Sequence, residues 1–407
     1  MTVDGERVRG PGATTLIRNI GTLVTGDVTA PVADADSLLI GDGRIVEVGT
    51  TAGPADADRV IDAGGATVAP GLIDSHCHVV FGDYTPRQSA VGFLASYVHG
   101  GITSVVSPGE IHLPGRPYDA AGVKALAVLA QRSWGAYRPG GMKVNGGSVV
   151  LEPVLTEEDL REVAAQGVRY AKFGFGRYAD PADGYRQVWD AQRAGILVTC
   201  HCGGASVPGS RPITADHLLE MRPDVLGHVN GGPTSLDSGG LRALVGETGL
   251  ALQLVQAGNL RSAIEIAGLV REYGAERRVV LGSDTPTGTG TMPLGVLKTV
   301  AELSSLAEVD PWTAWAWATG NAARLYGLEA GVVDAGRPAD LVVLDAPWGS
   351  LAGDAHGALA RGDIPGIGAV LVDGEPRALG SRNTPAPSRR ARVTPELPAL
   401  AGSGHVQ

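Results

Sequence analysis

From about Ala69 onward, short apolar runs alternate with segments of helical period, and the rhythm holds for about 250 residues. An apolar run too short for a helix and bounded by turn residues reads as a strand buried on both faces. When each such run is followed by a helix, the strands must lie parallel, because the helix is the crossover. The strand candidates are Leu72–Val80, Thr103–Ser107, Val144–Leu151, Tyr170–Gly174, Ile196–His201, Val225–His228, Ala251–Val255 and Arg278–Ser283. Helix signals fall between them. Thr156-Glu157-Glu158-Asp159 is an N-cap followed by acidic residues suited to a helix start, and Asn259 to Tyr273 carries an apolar stripe of Ile264, Leu269 and Val270. Eight such repeats predict an α/β fold of the (β/α)8 barrel type.

The flanks have a different grain. From Thr14 to Val68 the runs Thr15-Leu16-Ile17, Ser37-Leu38-Leu39-Ile40 and Arg44-Ile45-Val46-Glu47-Val48 are β-branched and separated by Gly and Asp. Gly41-Asp42-Gly43 suits a hairpin turn, since Asp and Gly tolerate positive φ. After Gly327 the β rhythm returns in Val332-Val333, Ala339 to Leu344 and Ala369 to Gly374. The two ends are expected to pair into one small β-sandwich. That gives residues 1–68 as its first part, 69–329 as the barrel, 330–380 as its second part, and 381–407, rich in Pro, Arg, Ala and Ser, as an extended arm.

Composition narrows the partners. A net charge of −10 argues against nucleic acid or an anionic membrane. No stretch approaches the ~20 apolar residues of a membrane span, and Met1 to Arg9 has no apolar signal core, so a cytoplasmic protein acting on a small molecule is expected. Cys77, Cys200 and Cys202 are too few for a disulfide framework and read as small buried side chains. Trp312, Trp315 and Trp317 read as core or subunit packing, and Gly288-Thr289-Gly290 does not follow a phosphate-loop pattern.

In a barrel the chemistry sits at the C-terminal ends of the strands. The first candidate strand ends in His76-Cys77-His78, where alternation puts both imidazoles on one face. The fifth ends in His201, the sixth in His228 and the eighth in Asp284, while the fourth carries Lys172. Four histidines and an aspartate at strand ends predict a metal site, and such ligands suit Zn, Fe or Mn alike. His99, His217, His356 and His405 fit no strand end and read as structural.

Three segments carry a resemblance. Ala69-Pro70-Gly71-Leu72-Ile73-Asp74-Ser75-His76-Cys77-His78 resembles the opening motif of the amidohydrolase superfamily. Thr319-Gly320-Asn321-Ala322-Ala323-Arg324-Leu325-Tyr326-Gly327-Leu328 and Gly336-Arg337-Pro338-Ala339-Asp340-Leu341-Val342 resemble its closing motif. The resemblance implies a metal-dependent barrel flanked by a β-sandwich of both termini. It implies that His76 and His78, with Asp284, hold one divalent ion and that His201 and His228 hold a second. Lys172, carboxylated by CO2, would bridge them; its plain alternative is a salt-bridged lysine. A hydroxide shared by the ions would attack an amide carbonyl, with Asp284 carrying the proton to the leaving nitrogen.

Further stretches are similar to the branch of that superfamily that opens a cyclic enamide, 6-oxo-1,4,5,6-tetrahydronicotinate. They are Gly82 to Gln88, Pro114 to Pro117, His228 to Thr234, Val255 to Asn259 and Ser381 to Pro385. That branch implies a tetramer, and it implies a bridging glutamate where this chain has Lys172. A free ammonium would repel two cations, so the lysine must be carboxylated or displaced. Tyr84 and Arg87 follow the first strand on a loop able to cover the pocket, and Arg87 or Arg116 could pair with a ring carboxylate or be a plain solvated surface or helix-cap arginine. Asn230 and Gln256 could orient the amide or merely satisfy loop backbone, and His112 is a candidate auxiliary donor. The same metal site could instead open a lactam, imide, hydantoin-like ring or lactone. A deaminase is disfavoured, because His201 lacks a nearby acidic residue, and a non-catalytic scaffold is disfavoured by the complete ligand set.

Overall fold

The structure, a computed structural model, describes residues 14–80, 84–85, 88, 90–109, 111, 113–207, 209–231, 235–287 and 290–395. Its central strands lie where the apolar runs put them. They are Leu72–Asp74, Ile102–Val106, Lys143–Asn145, Val149–Val150, Tyr170–Phe173, Leu197–His201, Val225–Gly227, Ala251–Val255 and Val279–Gly282. The strands from Val149–Val150 to Val279–Gly282 form one six-stranded parallel sheet in chain order. A second parallel sheet sets Ile102–Val106 between Leu72–Asp74 and Lys143–Asn145. Backbone bonds also join the first strand region to the last. Ser75 N–H donates to the Leu281 carbonyl (3.1 Å) and Asp284 N–H to that of His76 (2.8 Å).

Two expectations shift. The third apolar run is not one strand but two short ones. Between them Gly146 and Gly147 pass so close to Trp134 and Gln131 of the helix Ala120–Ala136 that a Cβ on either would sit 2.4 Å from a side-chain atom. The first run stops being a strand at Asp74, and His76, Cys77 and His78 lie beyond it on irregular backbone. That backbone is still held, by Cys77 N–H on the Val106 carbonyl (3.0 Å) and His78 N–H on that of Thr285 (2.8 Å).

Helices between the strands cover the outer face, which is why strands such as Ala251–Val255 are buried at every position. Thr156 caps Glu157–Ala165 through a reciprocal bond set with Asp159, and Asn259 caps Leu260–Tyr273 through Ser262 N–H. Trp315 and Trp317 are buried, with Trp315 Nε1–H donating to the Pro70 carbonyl (3.0 Å), so they are core. The three cysteines are free and buried.

Both chain ends build two further mixed sheets. One runs Arg392–Thr394, Arg59–Asp62, Thr15–Arg18, Leu38–Gly41, Arg44–Val48. The other runs Glu375–Leu379, Gly366–Val372, Leu341–Asp345, Thr67–Pro70, Thr22–Val24, Val32–Ala33. They share one apolar cluster that includes Ile17, Ile61, Val68, Leu341 and Leu371. The segment after Ser381 contributes the strand Arg392–Thr394 and places Arg389 against the buried Asp345 carboxylate. No helix among the described residues is long and apolar enough to cross a membrane.

Candidate metal centre

His76 and His78 emerge just past the end of the first strand with both rings buried, 5.1 Å apart edge to face. Asp284, two residues beyond the last strand, sets Oδ1 3.0 Å from His78 Nε2 and 3.5 Å from His76 Nε2. One ligand atom from each of the three lies within 4.8 Å of the others. His201 closes its strand and His228 follows the next one directly. His201 Nδ1 and His228 Nε2 stand 3.1 Å apart, and the His228 ring centroid is 5.6 Å from that of His76. The four strand-end histidines therefore form one contiguous group with Asp284 beside it.

Lys172 points into the same interior. Its ammonium is buried, lies 5.7 Å from the centre of the Phe175 ring, and has no hydrogen-bond partner among the described residues. Gly227 beside it admits no side chain, since a Cβ there would stand 2.7 Å from the Cys200 carbonyl oxygen and from Thr199 Cγ2. An unpaired buried ammonium is costly, and burial holds the Lys172 amine below the usual lysine range.

Electrostatics favour the forms that bind cations. Burial pulls His76 down to about 3, His201 to about 4 and His228 well below the usual imidazole range, so all three are neutral at neutral pH. Burial alone would raise Asp284, but the imidazoles around it, with the His78 hydrogen bond, hold it well below the usual carboxylate range. Neutral imidazoles and one carboxylate, with His76 Nε2 and Lys172 Nζ buried and without a hydrogen-bond partner among the described residues, form a donor set that fits divalent cations.

Beneath these residues lies a layer that sequence reasoning did not single out. Asp74 accepts from His76 N–H (3.0 Å), Ser283 N–H (2.8 Å) and the Ser283 hydroxyl (2.5 Å), while burial pushes its own carboxyl up to about 6. Gln253 Oε1 meets His76 Nδ1 at 2.6 Å. The available signal was a lone polar residue inside Ala251-Leu252-Gln253-Leu254-Val255, a strand buried on both faces. Backbone conformation marks the site as well. His228 (φ +39°) and Asp284 (φ +54°) occupy the left-handed region that non-glycine residues rarely adopt, a strain that concentrates at functional positions.

The substrate candidates fare unevenly. Arg87 and His112 lie outside the described residues, and Tyr84 lies in a short strand, Tyr84–Thr85, paired with Ala90–Val91. Arg116 is buried, paired with Glu152 (2.9 Å) and donating to the Phe175 carbonyl (3.1 Å). Phe175 in turn sets its ring 5.0 Å from His201, so Arg116 meets the centre through this loop. Asn230 bonds the Val255 backbone in both directions, at 3.0 and 2.8 Å. Gln256 donates to Glu302 (3.2 Å) and accepts from Thr299 (2.8 Å). His99, His217 and His356 sit apart, bonded to Arg382, Thr214 and Asp310 respectively, and His405 is outside the described residues.

Residues 228–374 match the amidohydrolase family. The enamidase of Eubacterium barkeri is 45% identical over 382 residues, which is 93% of this chain and 99% of that protein. The imidazolonepropionase of Salinispora arenicola is 29% identical over 411 residues, covering 89% and 98% of the two chains. The crystal structure of an enamidase, described as a member of the amidohydrolase superfamily, superposes with a TM-score of 0.90 at 45% identity, over 94% of this chain and 100% of that one. With a relative of that identity matched along nearly its whole length, this chain belongs to the amidohydrolase superfamily.

Proposed function

We propose that this protein is a metal-dependent hydrolase that opens a six-membered cyclic enamide, acting on the carbon–nitrogen bond of the ring. The observation that carries this reading is the convergence of four buried histidines, Asp284 and Lys172, whose Nζ has no hydrogen-bond partner among the described residues, on one interior, in a chain 45% identical to an enamidase. The sheet order supports a (β/α)8 barrel over residues 69–329. For the flanks, read as a β-sandwich from 1–68 and 330–380 with 381–407 as an arm, the same support covers the described residues 14–68 and 330–395. A cytoplasmic homotetramer acting on a carboxylate-bearing ring belongs to the same reading.

His76, His78 and Asp284 would hold one divalent ion, and His201 and His228 a second. Lys172, buried on the same interior, would supply an anion between them once carboxylated. Its depressed basicity favours the neutral amine, which takes up CO2 with loss of a proton to give a carbamate, turning a repelling cation into a bridging anion. Zn, Fe and Mn all suit this donor set. When bound, such ions supply Lewis acidity toward the carbonyl and a nucleophile from water at neutral pH.

The chain's own residues do the rest. Asp284 stays ionised, its carboxyl held well below the usual carboxylate range, with Oδ1 turned toward the His78 ring. Its other oxygen, Oδ2, takes the proton of the attacking water and returns it to the ring nitrogen as the carbon–nitrogen bond breaks. The nitrogen leaves as an enamine. Tautomerisation gives an imine, and a further water releases ammonia and leaves an aldehyde.

The test is the ultraviolet loss of 6-oxo-1,4,5,6-tetrahydronicotinate on adding metal-loaded protein, with ammonia measured alongside. Turnover with about one ammonia per ring opened is expected. No turnover by protein holding two ions per chain would discard this substrate. It would favour a second reading, hydrolysis of another cyclic amide, imide or lactone, for which the likeness to imidazolonepropionase speaks.

A further inference from the structure

The amide of Gln253 is fully buried and makes five polar contacts with described residues. Nε2 donates to the Ser75 carbonyl (2.9 Å), the Ser75 hydroxyl (3.0 Å) and the Tyr326 hydroxyl (3.0 Å). Oε1 accepts from the backbone N–H of His228 (3.3 Å) and meets His76 Nδ1 at 2.6 Å. Two of these partners permit only one orientation. The Ser75 carbonyl can only accept and the His228 N–H can only donate, so reversing the amide would set carbonyl against carbonyl and N–H against N–H.

With Oε1 fixed toward His76, the ring must carry its proton on Nδ1. Its lone pair is then on Nε2, the atom that has no hydrogen-bond partner and faces Asp284. The same oxygen holds the backbone of His228 at a position where φ is +39°. Gln253 thus touches one histidine from each half of the centre.

We propose that Gln253 is a positioning residue that locks the tautomer of His76 and couples the two halves of the metal centre, so that losing it weakens both ions together. This rests on the metal-centre reading but not on the substrate. A carboxamide suits the task where a carboxylate does not, because the Ser75 carbonyl on one side requires a donor and His76 on the other requires an acceptor.

The first test uses the metal-free wild-type protein labelled with 15N-histidine. Long-range proton–nitrogen correlations are expected to show His76 as the Nδ1–H tautomer, and an Nε2–H tautomer would overturn the lock. The second loads the protein with Zn2+ and follows release of both ions to a chelator. Gln253→Met is expected to release both about tenfold faster or more. Tyr326→Phe removes a partner from the far end of the amide and leaves Oε1 in place, so it is expected to stay within about twofold of wild type. Wild-type release from Gln253→Met, or faster release of one ion only, would overturn the coupling. If Gln253→Met does not fold, the wild-type spectrum still decides the lock. Neither readout needs turnover, so both stand if the proposed substrate proves wrong.

Discussion

Asp284→Asn is expected to lower kcat by about 1,000-fold or more, with KM moving by no more than about threefold. The substitution preserves shape. The Asp284 backbone is pinned by its N–H on the His76 carbonyl (2.8 Å), and asparagine tolerates the left-handed φ of +54°. What is lost is an ionised oxygen able to take a proton and pass it on. A 1,000-fold loss corresponds to about 4 kcal/mol of transition-state stabilisation, within reach of one general acid–base group acting near bound cations. Metal content is measured on the same sample, so that a lost ion is distinguished from a lost proton carrier. A variant that keeps both ions and turns over within about tenfold of wild type would remove Asp284 from the proton path.

Lys172→Met is expected to act with opposite signs on stability and activity. In the metal-free protein it replaces a buried amine that lacks a hydrogen-bond partner among the described residues with a side chain of similar length that suits an apolar interior. Denaturant unfolding of the metal-free variant should therefore show a gain of about 1 kcal/mol or more. The loaded variant should lose its second ion and about 1,000-fold or more in kcat, because no anion then stands between two cations. Lys172→Glu restores a carboxylate without needing CO2 and should recover two ions per chain. Wild-type metal content and turnover from Lys172→Met would make Lys172 an ordinary core lysine.

Much of this arrangement is legible in the sequence because it rests on local rules. Strands buried on both faces are mostly apolar runs, so Tyr170–Phe173, Val225–Gly227, Ala251–Val255 and Val279–Gly282 fall where the pattern predicts them despite Lys172 and Gln253. Histidine is rare at the end of such runs, and His76, His78, His201 and His228 are found together for that reason. What could not be read depends on contacts between distant segments. The break after Asn145 follows from the approach of a helix whose Trp134 and Gln131 leave no room for a Cβ at Gly146 or Gly147. The end of the first strand at Asp74 follows from the bonds the following residues make to Val106 and Thr285, on two other segments. Arg116 looked free to meet a substrate carboxylate, since nothing in the chain announces that Glu152 will face it. For Asn230 the backbone-satisfying alternative stated from the sequence is the one found, whereas the Glu302 and Thr299 side chains that hold Gln256 are visible only in three dimensions.

The most direct measurement is a metal titration of the stripped protein, following hydrolysis of 6-oxo-1,4,5,6-tetrahydronicotinate as Zn2+ is added. The site described here gives no turnover without metal and activity that saturates at two ions per chain, one for His76, His78 and Asp284 and one for His201 and His228. Turnover by the stripped protein, or full activity with a single ion, would contradict it.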